Sequence, residues 1–238
     1  MTQTKKTILI TGANRGIGLA LSEVSLKQGW NVIATIRNSS SAAALTSLGE
    51  RFLGQLRVEV MDVTKDQSVS AIAEKLGSTP IDILVNNAGV IGPEKQSSRE
   101  MDFAGFADTL AANTIAPLRV AQAFLPSLES AAREAGIAKI ATITSAMGSL
   151  ADTSPDHLAY RASKAAVNKL MQGLATDMKA SKIAVFLLHP GWVRTDMGGE
   201  GADIDATTSA TGIFNEVSKR GLTETGSFFN YAGDAIRW

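Results

Sequence analysis

The most constraining feature of this 238-residue sequence is the glycine-rich stretch Thr11–Gly18, which joins an apolar run to a helical pattern. The run at residues 7–10 predicts a strand, and the pattern from Ile17 onward predicts a helix. The three glycines of the stretch permit a sharp turn, a close approach of backbone to phosphate, and tight packing of helix on strand. The N–H groups and dipole at a helix start also favour phosphate. The stretch therefore predicts a dinucleotide-binding turn. Its spacing is G-x-x-x-G-x-G rather than G-x-G-x-x-G, and a tight βα connection without a ligand is the alternative.

Composition narrows the class of protein. At 238 residues and 45% hydrophobic content, the chain suits one α/β domain over residues 1–238. The 23 basic and 23 acidic side chains give a formal net charge of zero, so we expect no nucleic-acid or anionic-membrane partner. The absence of cysteine excludes disulfides and thiolate chemistry. The first apolar run is too short for a signal peptide or a membrane span, so we expect a cytoplasmic protein.

No metal site is predicted from the sequence. The carboxylates near residues 200–205 lack a partnering His or Cys. His157 lies one helical turn before a tyrosine, and His189 precedes a proline at a strand end. We expect structural roles for both histidines.

Apolar runs and helical patterns alternate along the chain. Strands are predicted at residues 7–10, 31–36, 55–61, 81–85, 137–144, 183–188 and 227–230. Helices are predicted at residues 17–28, 41–49, 66–76, 103–133, 156–179 and 206–220. Repeated βα units with buried strands predict an α/β fold of the Rossmann type, a doubly wound parallel sheet with helices on both faces. Ligands should bind at the carboxyl ends of its strands.

Two arginines indicate which dinucleotide binds. Arg37 follows the second strand, where a dinucleotide fold places the residue that meets the adenosine ribose, and no acid stands at Ile36 or Arg37. Arg15, inside the glycine-rich turn, adds a second cation, and guanidinium groups pair well with phosphate. Either arginine alone would be more typical of a solvated surface charge. The two together predict NADP(H) through its 2′-phosphate, with NAD as the alternative.

Tyr160 and Lys164 are four residues apart and so share one face of a predicted helix. A nearby ammonium favours the phenolate, which would lower the tyrosine pKa from about 10 and make the phenol a usable proton donor or acceptor. Ser145 follows the preceding strand and could hydrogen-bond a substrate oxygen. A Tyr-x-x-x-Lys pair also occurs by chance on helix surfaces, and here the surrounding motifs favour catalysis.

Three further segments lie near the same edge of the predicted sheet. Pro117 cannot donate to the carbonyl of Asn113, which leaves that oxygen free for a water or a ligand, although a packing kink is the alternative. Residues 86–89 close the fourth strand and keep the cofactor face clear of large side chains. Asp62 and Val63 end the third strand and could reach an adenine edge, but an Asp before a helix is more often a cap.

Together these residues resemble the short-chain dehydrogenase/reductase family. The resembling segments cover nearly the whole chain: Thr11–Gly18, Asn86–Gly89, Asn113, Ser145, Tyr160–Lys164, and Pro190–Gly191 with Thr195. Residues 160–168, 189–199 and 229–238 resemble in particular the C-factor-like and sniffer-like carbonyl reductases.

The resemblance implies a role for each of four residues. Tyr160 would donate a proton to a carbonyl that Ser145 polarises. Lys164 would bind the nicotinamide ribose and lower the tyrosine pKa, and Asn113 would hold a relay water. The residues and the resemblance together give these cofactor-binding positions: Gly12, Asn14, Arg15, Gly16, Ile17, Gly18, Arg37, Asp62, Val63, Asn87, Ala88, Gly89, Tyr160, Lys164, Pro190, Gly191, Val193 and Thr195.

The expected function is NADPH-dependent reduction of a small-molecule aldehyde, ketone or quinone by hydride transfer, with Tyr160 as the general acid. One alternative is a non-catalytic NADP(H)-binding sensor or signalling protein, since a fold alone does not prove chemistry. Another is a Rossmann-like methyltransferase, which would carry an acid where Arg37 stands. The intact set of Ser145, Tyr160 and Lys164 favours the enzyme.

Two expectations concern the surroundings of the site. Residues 197–210 hold three glycines and few large side chains, which predicts a mobile substrate lid, with an ordinary surface loop as the alternative. Apolar pocket candidates are Met147, Trp192 and Met197. The resemblance also implies a homodimer or homotetramer through residues 156–179 and the preceding helix. Alanines that would permit this contact, or pack inside the subunit instead, are Ala159, Ala162, Ala165 and Ala166.

Overall fold

A computed structural model describes residues 5–238 of the chain. These residues form one seven-stranded sheet with helices on both faces. The strands are β1 (Thr7–Thr11), β2 (Asn31–Ile36), β3 (Leu56–Val60), β4 (Ile83–Asn86), β5 (Ala138–Ile143), β6 (Ile183–His189) and β7 (Phe228–Asn230). The α-helices are α1 (Gly16–Lys27), α2 (Ala43–Arg51), α3 (Asp66–Leu76), α4 (Phe103–Leu110), α5 (Ala116–Ala123), α6 (Leu125–Ala135), α7 (Leu158–Met178) and α8 (Ala206–Lys219).

All seven strands run parallel, in the order β3-β2-β1-β4-β5-β6-β7. In the central strand β1, Leu9 pairs with Ile33 of β2 on one side and with Leu84 of β4 on the other. The chain builds outward from β1 to β3, then crosses back to β4 and builds the other half. The predicted doubly wound parallel sheet is confirmed. Its change of direction lies between β1 and β4, where such sheets bind ligands.

Two apolar layers enclose the sheet. One layer joins a face of the sheet to α1, α2 and α8, and it includes Leu45 and Phe214. The other joins the opposite face to α3, α5, α6 and α7, and it includes Met171. Neighbouring residues of β1 alternate between the layers, since Ile10 belongs to the first and Leu9 to the second. Burial on both faces explains why most strands are nearly continuous apolar runs, whereas the edge strand β3 is largely exposed and carries Arg57 and Glu59.

The prediction of one continuous helix over residues 103–133 was wrong. The structure divides this segment into α4, a π-helical turn at Ala111–Ile115, α5 and α6. Pro117 has no N–H to donate to Asn113, and the wide turn occurs where that bond is lost. A second break falls at Phe124, just before α6, which carries Pro126 in its first turn. Prolines therefore mark both interruptions of an apolar pattern that is otherwise periodic.

The other element boundaries differ from the predictions by few residues. Helix α7 begins at Leu158 rather than at residue 156, because His157 adopts a left-handed conformation with φ of 51°. Strand β4 begins at Ile83 rather than at residue 81. Asp82, just before it, instead accepts a hydrogen bond from the backbone N–H of Thr7 at 2.7 Å.

The segment predicted as a lid is shorter than expected. Residues 206–210 belong to α8, whose start is capped by Asp205 through a 2.7 Å hydrogen bond from the N–H of Thr208. Ser209 and Ala210 are fully buried. The loop therefore ends at Asp205, because a capped and buried helix start cannot move as a free loop.

Within residues 5–238, no helix combines the length and apolar character needed to cross a lipid bilayer. The longest helix, α7, is polar on its outer side, where Lys169 and Asp177 are exposed.

Candidate active site

A cleft of about 840 Å³ opens at the carboxyl ends of the strands, around the change of direction between β1 and β4. Most of the predicted cofactor-binding positions line it: Gly12, Asn14, Arg15, Gly16, Ile17, Arg37, Asp62, Val63, Asn87, Ala88, Gly89, Tyr160, Lys164, Pro190 and Thr195. These residues are spread over most of the chain, and the sheet brings them together because parallel strands end at the same edge.

Three predicted positions do not line the cleft. A Cβ at Gly18 would lie 2.5 Å from the carbonyl oxygen of Gly12, so this glycine packs helix α1 against the turn. A Cβ at Gly191 would lie 2.7 Å from Ile204. Val193 is buried and forms a bridge to the same residue. All three therefore support the wall of the cleft from behind.

The glycine-rich turn fits a dinucleotide phosphate. Gly12 has a φ of 65°, and a Cβ there would lie 2.9 Å from the Cα of Ala88, so a larger residue would both strain and crowd the turn. Helix α1 begins after Arg15 with no side-chain cap and with no acidic residue in its first turn. Its free N–H groups and positive dipole end are thus available to an anion.

Asn87 holds this turn in place. Its side-chain amide donates to the carbonyl oxygens of Thr11 and Gly12 at 2.9 and 3.1 Å. The hydroxyl of Thr11 accepts the backbone N–H groups of Asn87 and Ala88, both at 3.0 Å. The end of β4 is therefore bonded to the end of β1, as expected for an asparagine that bonds neighbouring backbone.

The two arginines that line the cleft, Arg15 and Arg37, differ in their surroundings. Arg15 donates to the carboxylate of Asp196 at 2.5 Å, and both side chains are more than two-thirds exposed. The sequence did not indicate this partner, because Asp196 lies in a loop 181 residues away. Arg37 has no ion-pair partner within 4 Å in the described part of the chain.

Asp62 caps a turn, which was the alternative interpretation of its sequence position. Its carboxylate accepts from the N–H and the hydroxyl of Thr64 at 2.9 and 2.7 Å. Burial acts to raise the pKa of Asp62, but the Thr64 hydrogen bonds and the charges of Arg37 and Lys65 outweigh it and lower that pKa. Asp62 also lines the cleft, so its capping role leaves it within the candidate cofactor site.

Tyr160 and Lys164 lie in the first turns of α7, and Ser145 lies directly after β5. All three are less than 9% exposed. The ammonium of Lys164 donates to the carbonyl oxygen of Ile143 at 3.0 Å and lies 5.6 Å from the centre of the Tyr160 ring. A Cβ at Gly148 would lie 2.8 Å from Lys164, so the turn after Ser145 packs tightly on α7. The site thus combines a phenol, a hydroxyl and a cation.

Burial controls the charges in this site. It raises the pKa of Tyr160, while a hydrogen bond with Ser145 acts in the opposite direction. Burial also lowers the pKa of Lys164 to about 8. The net direction of the Tyr160 pKa is therefore upward, opposite to the expected lowering. The reason is that the apolar surroundings disfavour the phenolate and the ammonium is bonded to a backbone carbonyl.

Asn113 lies in the π-helical turn, with only 1% of its surface exposed. Its side-chain oxygen accepts from the N–H of Val90 at 2.8 Å, and its amide donates to the Val90 carbonyl at 2.8 Å and to the Ser163 hydroxyl at 3.0 Å. Neither Asn113 nor Ser145 lines the cleft. The relay-water role of Asn113 stays a prediction, and it would fall to the backbone oxygen because the side chain is fully bonded.

Several residues that line the cleft were not predicted. They are Leu19, Ala20, Glu23, Asn38, Ser41, Met61, Thr64, Val90, Ala112, Ile143, Thr144, Arg194 and Asp196. Many of them are next to a predicted residue, so widening each motif by one or two residues would have found them. Glu23 and Ser41 lie more than two residues from any predicted position and carry no such signal. Of the three apolar pocket candidates, Met197 lines the cleft, whereas Met147 and Trp192 do not.

The loop that precedes α8 is held by its own hydrogen bonds. The indole of Trp192 donates to the carbonyl of Gly198 at 2.8 Å, and Arg194 donates to the carbonyl of Ala202 at 2.8 Å. Movement of this loop as a lid stays a prediction. Because both hydrogen bonds lie within the loop, the loop would have to move as one unit to keep them.

The two histidines are not part of a metal cluster, since residues 5–238 contain no group of three or more His, Cys, Asp or Glu side chains suited to a metal ion. Burial lowers the pKa of His189 to about 4, so this side chain is neutral near pH 7. His157 lies beside Asp156 at 3.2 Å on the surface.

Comparison with known proteins agrees with this geometry. Residues 6–204 match the family model described as short chain dehydrogenase. The C-signal protein of Myxococcus xanthus is 39% identical over 169 residues, which cover 71% of this chain and 99% of that protein. Carbonyl reductase Sniffer of D. melanogaster has a TM-score of 0.93 at 32% identity, covering 98% of this chain and 100% of that one. NADPH-bound carbonyl reductase from chicken fatty liver has a TM-score of 0.91 at 33% identity, covering 99% and 100%. The chain therefore belongs to the short-chain dehydrogenase family.

Proposed function

We propose that this protein is an NADPH-dependent oxidoreductase that reduces the carbonyl group of a small aldehyde, ketone or quinone to an alcohol. The observation that carries the proposal is a single cleft that runs from the uncapped start of α1 to the buried pair of Tyr160 and Lys164. A phosphate-binding end and an acid–base end in one cleft suit a dinucleotide and its reaction partner.

Arg15 and Arg37 support NADP(H) over NAD, because both line the adenosine end and guanidinium groups bind phosphate by paired hydrogen bonds. The solved relative from chicken fatty liver was crystallised with NADPH, which supports the same choice. The reduced nicotinamide, when bound, supplies the hydride. The protein's part is to orient the carbonyl, exclude water and deliver a proton.

The proton is assigned to Tyr160. Because burial raises its pKa, the phenol keeps its proton near pH 7 and can give it to the oxygen of the reduced carbonyl. Ser145 lies near enough to the phenol to act on its pKa, and in this mechanism its hydroxyl orients the same oxygen once the substrate is bound. Lys164 has a pKa of about 8, so its side chain is mainly an ammonium near pH 7 and stabilises the phenolate left behind.

The test is Tyr160→Phe, with Tyr231→Phe as a matched control, since these are the two tyrosines in the chain. NADPH oxidation is followed against a panel of aldehydes, ketones and quinones, and cofactor binding is titrated separately. We expect Tyr160→Phe to lower the rate by roughly 10²–10⁴-fold, the contribution of general acid catalysis, with NADPH affinity nearly unchanged. The control should keep the wild-type rate. A Tyr160→Phe variant as active as the wild type would contradict the mechanism.

The alternative, a non-catalytic NADP(H)-binding sensor or signalling protein, is favoured by one observation, the name C-signal of the Myxococcus xanthus relative. The same panel separates the two functions. A sensor would bind NADPH in the titration and oxidise it with none of the carbonyl compounds.

We also propose a homodimer through α7. Ala162 is exposed, and Ala165 and Ala166 are partly exposed, so a second helix could approach them closely. Ala159 is fully buried and packs inside the subunit, which was the alternative stated for these alanines. Sedimentation equilibrium should give about twice the 25.0 kDa chain mass, and a 25.0 kDa species alone at micromolar concentration would refute the dimer.

A further inference from the structure

Gln96 lies in the segment between β4 and α4, with 7% of its surface exposed and outside the lining of the cleft. Its side-chain oxygen accepts from the backbone N–H of Tyr160 at 3.0 Å, and its side-chain amide donates to the carbonyl of Ile91 at 3.0 Å. Its backbone oxygen accepts from the N–H of Leu158, also at 3.0 Å. One residue from a distant segment is thus bonded twice to the first turn of α7.

Helix α7 needs these bonds because it has no cap of its own. The residue before it, His157, is in the left-handed region and makes no side-chain cap. The first bond inside the helix is from the N–H of Arg161 to the carbonyl of His157 at 2.8 Å. The earlier N–H groups of a helix have no partner within it, and burying one without a partner is costly. Gln96 satisfies two of them, at Leu158 and Tyr160.

The carbonyl of Tyr160 is held from the same side of the molecule. It accepts from the hydroxyl of Ser163 at 2.7 Å, and that hydroxyl accepts from the side-chain amide of Asn113 at 3.0 Å. Asn113 is bonded in turn to both backbone groups of Val90. The segment from Val90 to Gln96 therefore holds the N–H and the carbonyl of Tyr160 through one closed ring of hydrogen bonds.

We propose that Gln96 is a positioning residue that sets the place of Tyr160 relative to the wall of the cleft formed by Val90. The proposal rests on the proposed function, in which Tyr160 delivers the proton. Gln96 does not line the cleft, and its hydrogen bonds go to the backbone of Tyr160, Leu158 and Ile91, so it acts on Tyr160 through the backbone. A displacement of about 1 Å at a reacting group can cost roughly 10²-fold in rate, so loss of this bond should reach the chemistry.

The experiment uses two variants of this residue and one control. Gln96→Met has a similar length and removes both side-chain hydrogen bonds. Gln96→Glu keeps an acceptor for the Tyr160 N–H and loses the donor to Ile91. Gln55→Met is the matched control, because Gln55 accepts from Lys5 at 2.5 Å just before β3, at the amino ends of the strands and away from the cleft.

Two quantities are measured in each protein. The first is kcat per NADPH-binding site, with a carbonyl compound that the wild type reduces, and with the number of sites taken from a cofactor titration. A purely structural role would reduce the number of sites and leave kcat per site unchanged. The second is hydrogen exchange of the Tyr160 backbone N–H, followed by NMR, which requires no turnover.

We expect Gln96→Met to lower kcat per site by roughly 10- to 100-fold, with the NADPH dissociation constant changed by less than about threefold. Exchange of the Tyr160 N–H should become faster. Gln96→Glu should lie between this variant and the wild type in both measurements, and Gln55→Met should match the wild type.

Wild-type kcat per site together with wild-type protection of the Tyr160 N–H in Gln96→Met would overturn the proposal. If Gln96→Met does not fold, kcat per site and Tyr160 N–H exchange in Gln96→Glu decide whether the proposal holds. A Tyr160→Phe variant with wild-type activity would instead overturn the proposed function. The exchange measurement would then still decide whether Gln96 holds the backbone of Tyr160.

Discussion

Replacing Lys164 by methionine should stabilise the cofactor-free protein near neutral pH while it abolishes activity. Lys164 is buried and its pKa falls from 10.5 to about 8, because burial penalises the ammonium. Below pH 8 the folded protein carries that penalty in full. Between pH 8 and 10.5 the folded state has lost the proton and the unfolded chain still holds it, so wild-type stability rises with pH. Above 10.5 both states are neutral and the penalty is gone.

The size of the effect follows from this change in pKa. A fall from 10.5 to about 8 corresponds to about 3 kcal/mol of lost stability for the charged form. Methionine removes that penalty but leaves the carbonyl of Ile143 without its 3.0 Å hydrogen bond, which costs about 1–3 kcal/mol. The net gain near pH 7 is therefore about 0–2 kcal/mol. The free energy of unfolding of the variant, relative to that of the wild type, should then fall by about 3 kcal/mol as the pH rises from about 8 to 10.5, because the wild type gains stability over that range.

The assay is urea denaturation of both proteins, without cofactor, at several pH values from 7 to 10.5. Burial also lowers the pKa of Lys139 to about 8, but Lys139 is present in both proteins and its contribution cancels in the difference. Lys169→Met, at an exposed position of the same helix, is the control and should keep the pH dependence of the wild type. If the difference in free energy of unfolding between Lys164→Met and the wild type does not change over this pH range, the reasoning is refuted.

Three further predictions concern the cofactor end of the cleft. Arg37→Asp should weaken NADPH binding by roughly ten- to hundredfold and NADH binding much less, because hydrogen bonds to a charged phosphate are lost. Dissociation constants of wild type and variant for both cofactors test this, and a wild type that prefers NADH would contradict it. Asp196→Asn frees Arg15 from its 2.5 Å ion pair and should tighten NADPH binding by roughly two- to fivefold, which corresponds to the free energy of an exposed ion pair. Weaker NADPH binding by the variant in the same titration would count against this prediction. Gly18→Ala places a Cβ 2.5 Å from a backbone oxygen and should cost about 1–3 kcal/mol in thermal or urea unfolding, whereas Gly49→Ala, which meets only an ordinary contact at 3.7 Å, should cost nothing.

Much of the fold could be predicted because it depends on local properties of the chain. A strand buried on both faces must be apolar throughout, so the strands were visible as short runs between polar turns. The glycine-rich turn was equally visible, because the missing Cβ atoms at Gly12 and Gly18 are what allow its geometry. The spacing of Tyr160 and Lys164 placed them on one helix face without any knowledge of the sheet.

The predictions that were wrong concerned features that depend on packing between distant segments. The apolar pattern of residues 103–133 continues through both breaks. Pro117 indicated the first break near Asn113, but the π-helical turn there and the stop at Phe124 are visible only in the packed structure. The direction of the Tyr160 pKa depends on how deeply the phenol is buried, which neighbours in sequence do not determine.

The order of the elements, the glycine-rich turn and the residue types of the site follow from the sequence alone. Which distant groups meet in and around the cleft depends on how the whole chain packs. Asp196 meets Arg15 across 181 residues of chain, and Gln96 meets the backbone of Tyr160 across 64. Such contacts exist because strand pairing brings the ends of distant segments to one edge of the sheet. No periodicity or spacing within a single segment records them.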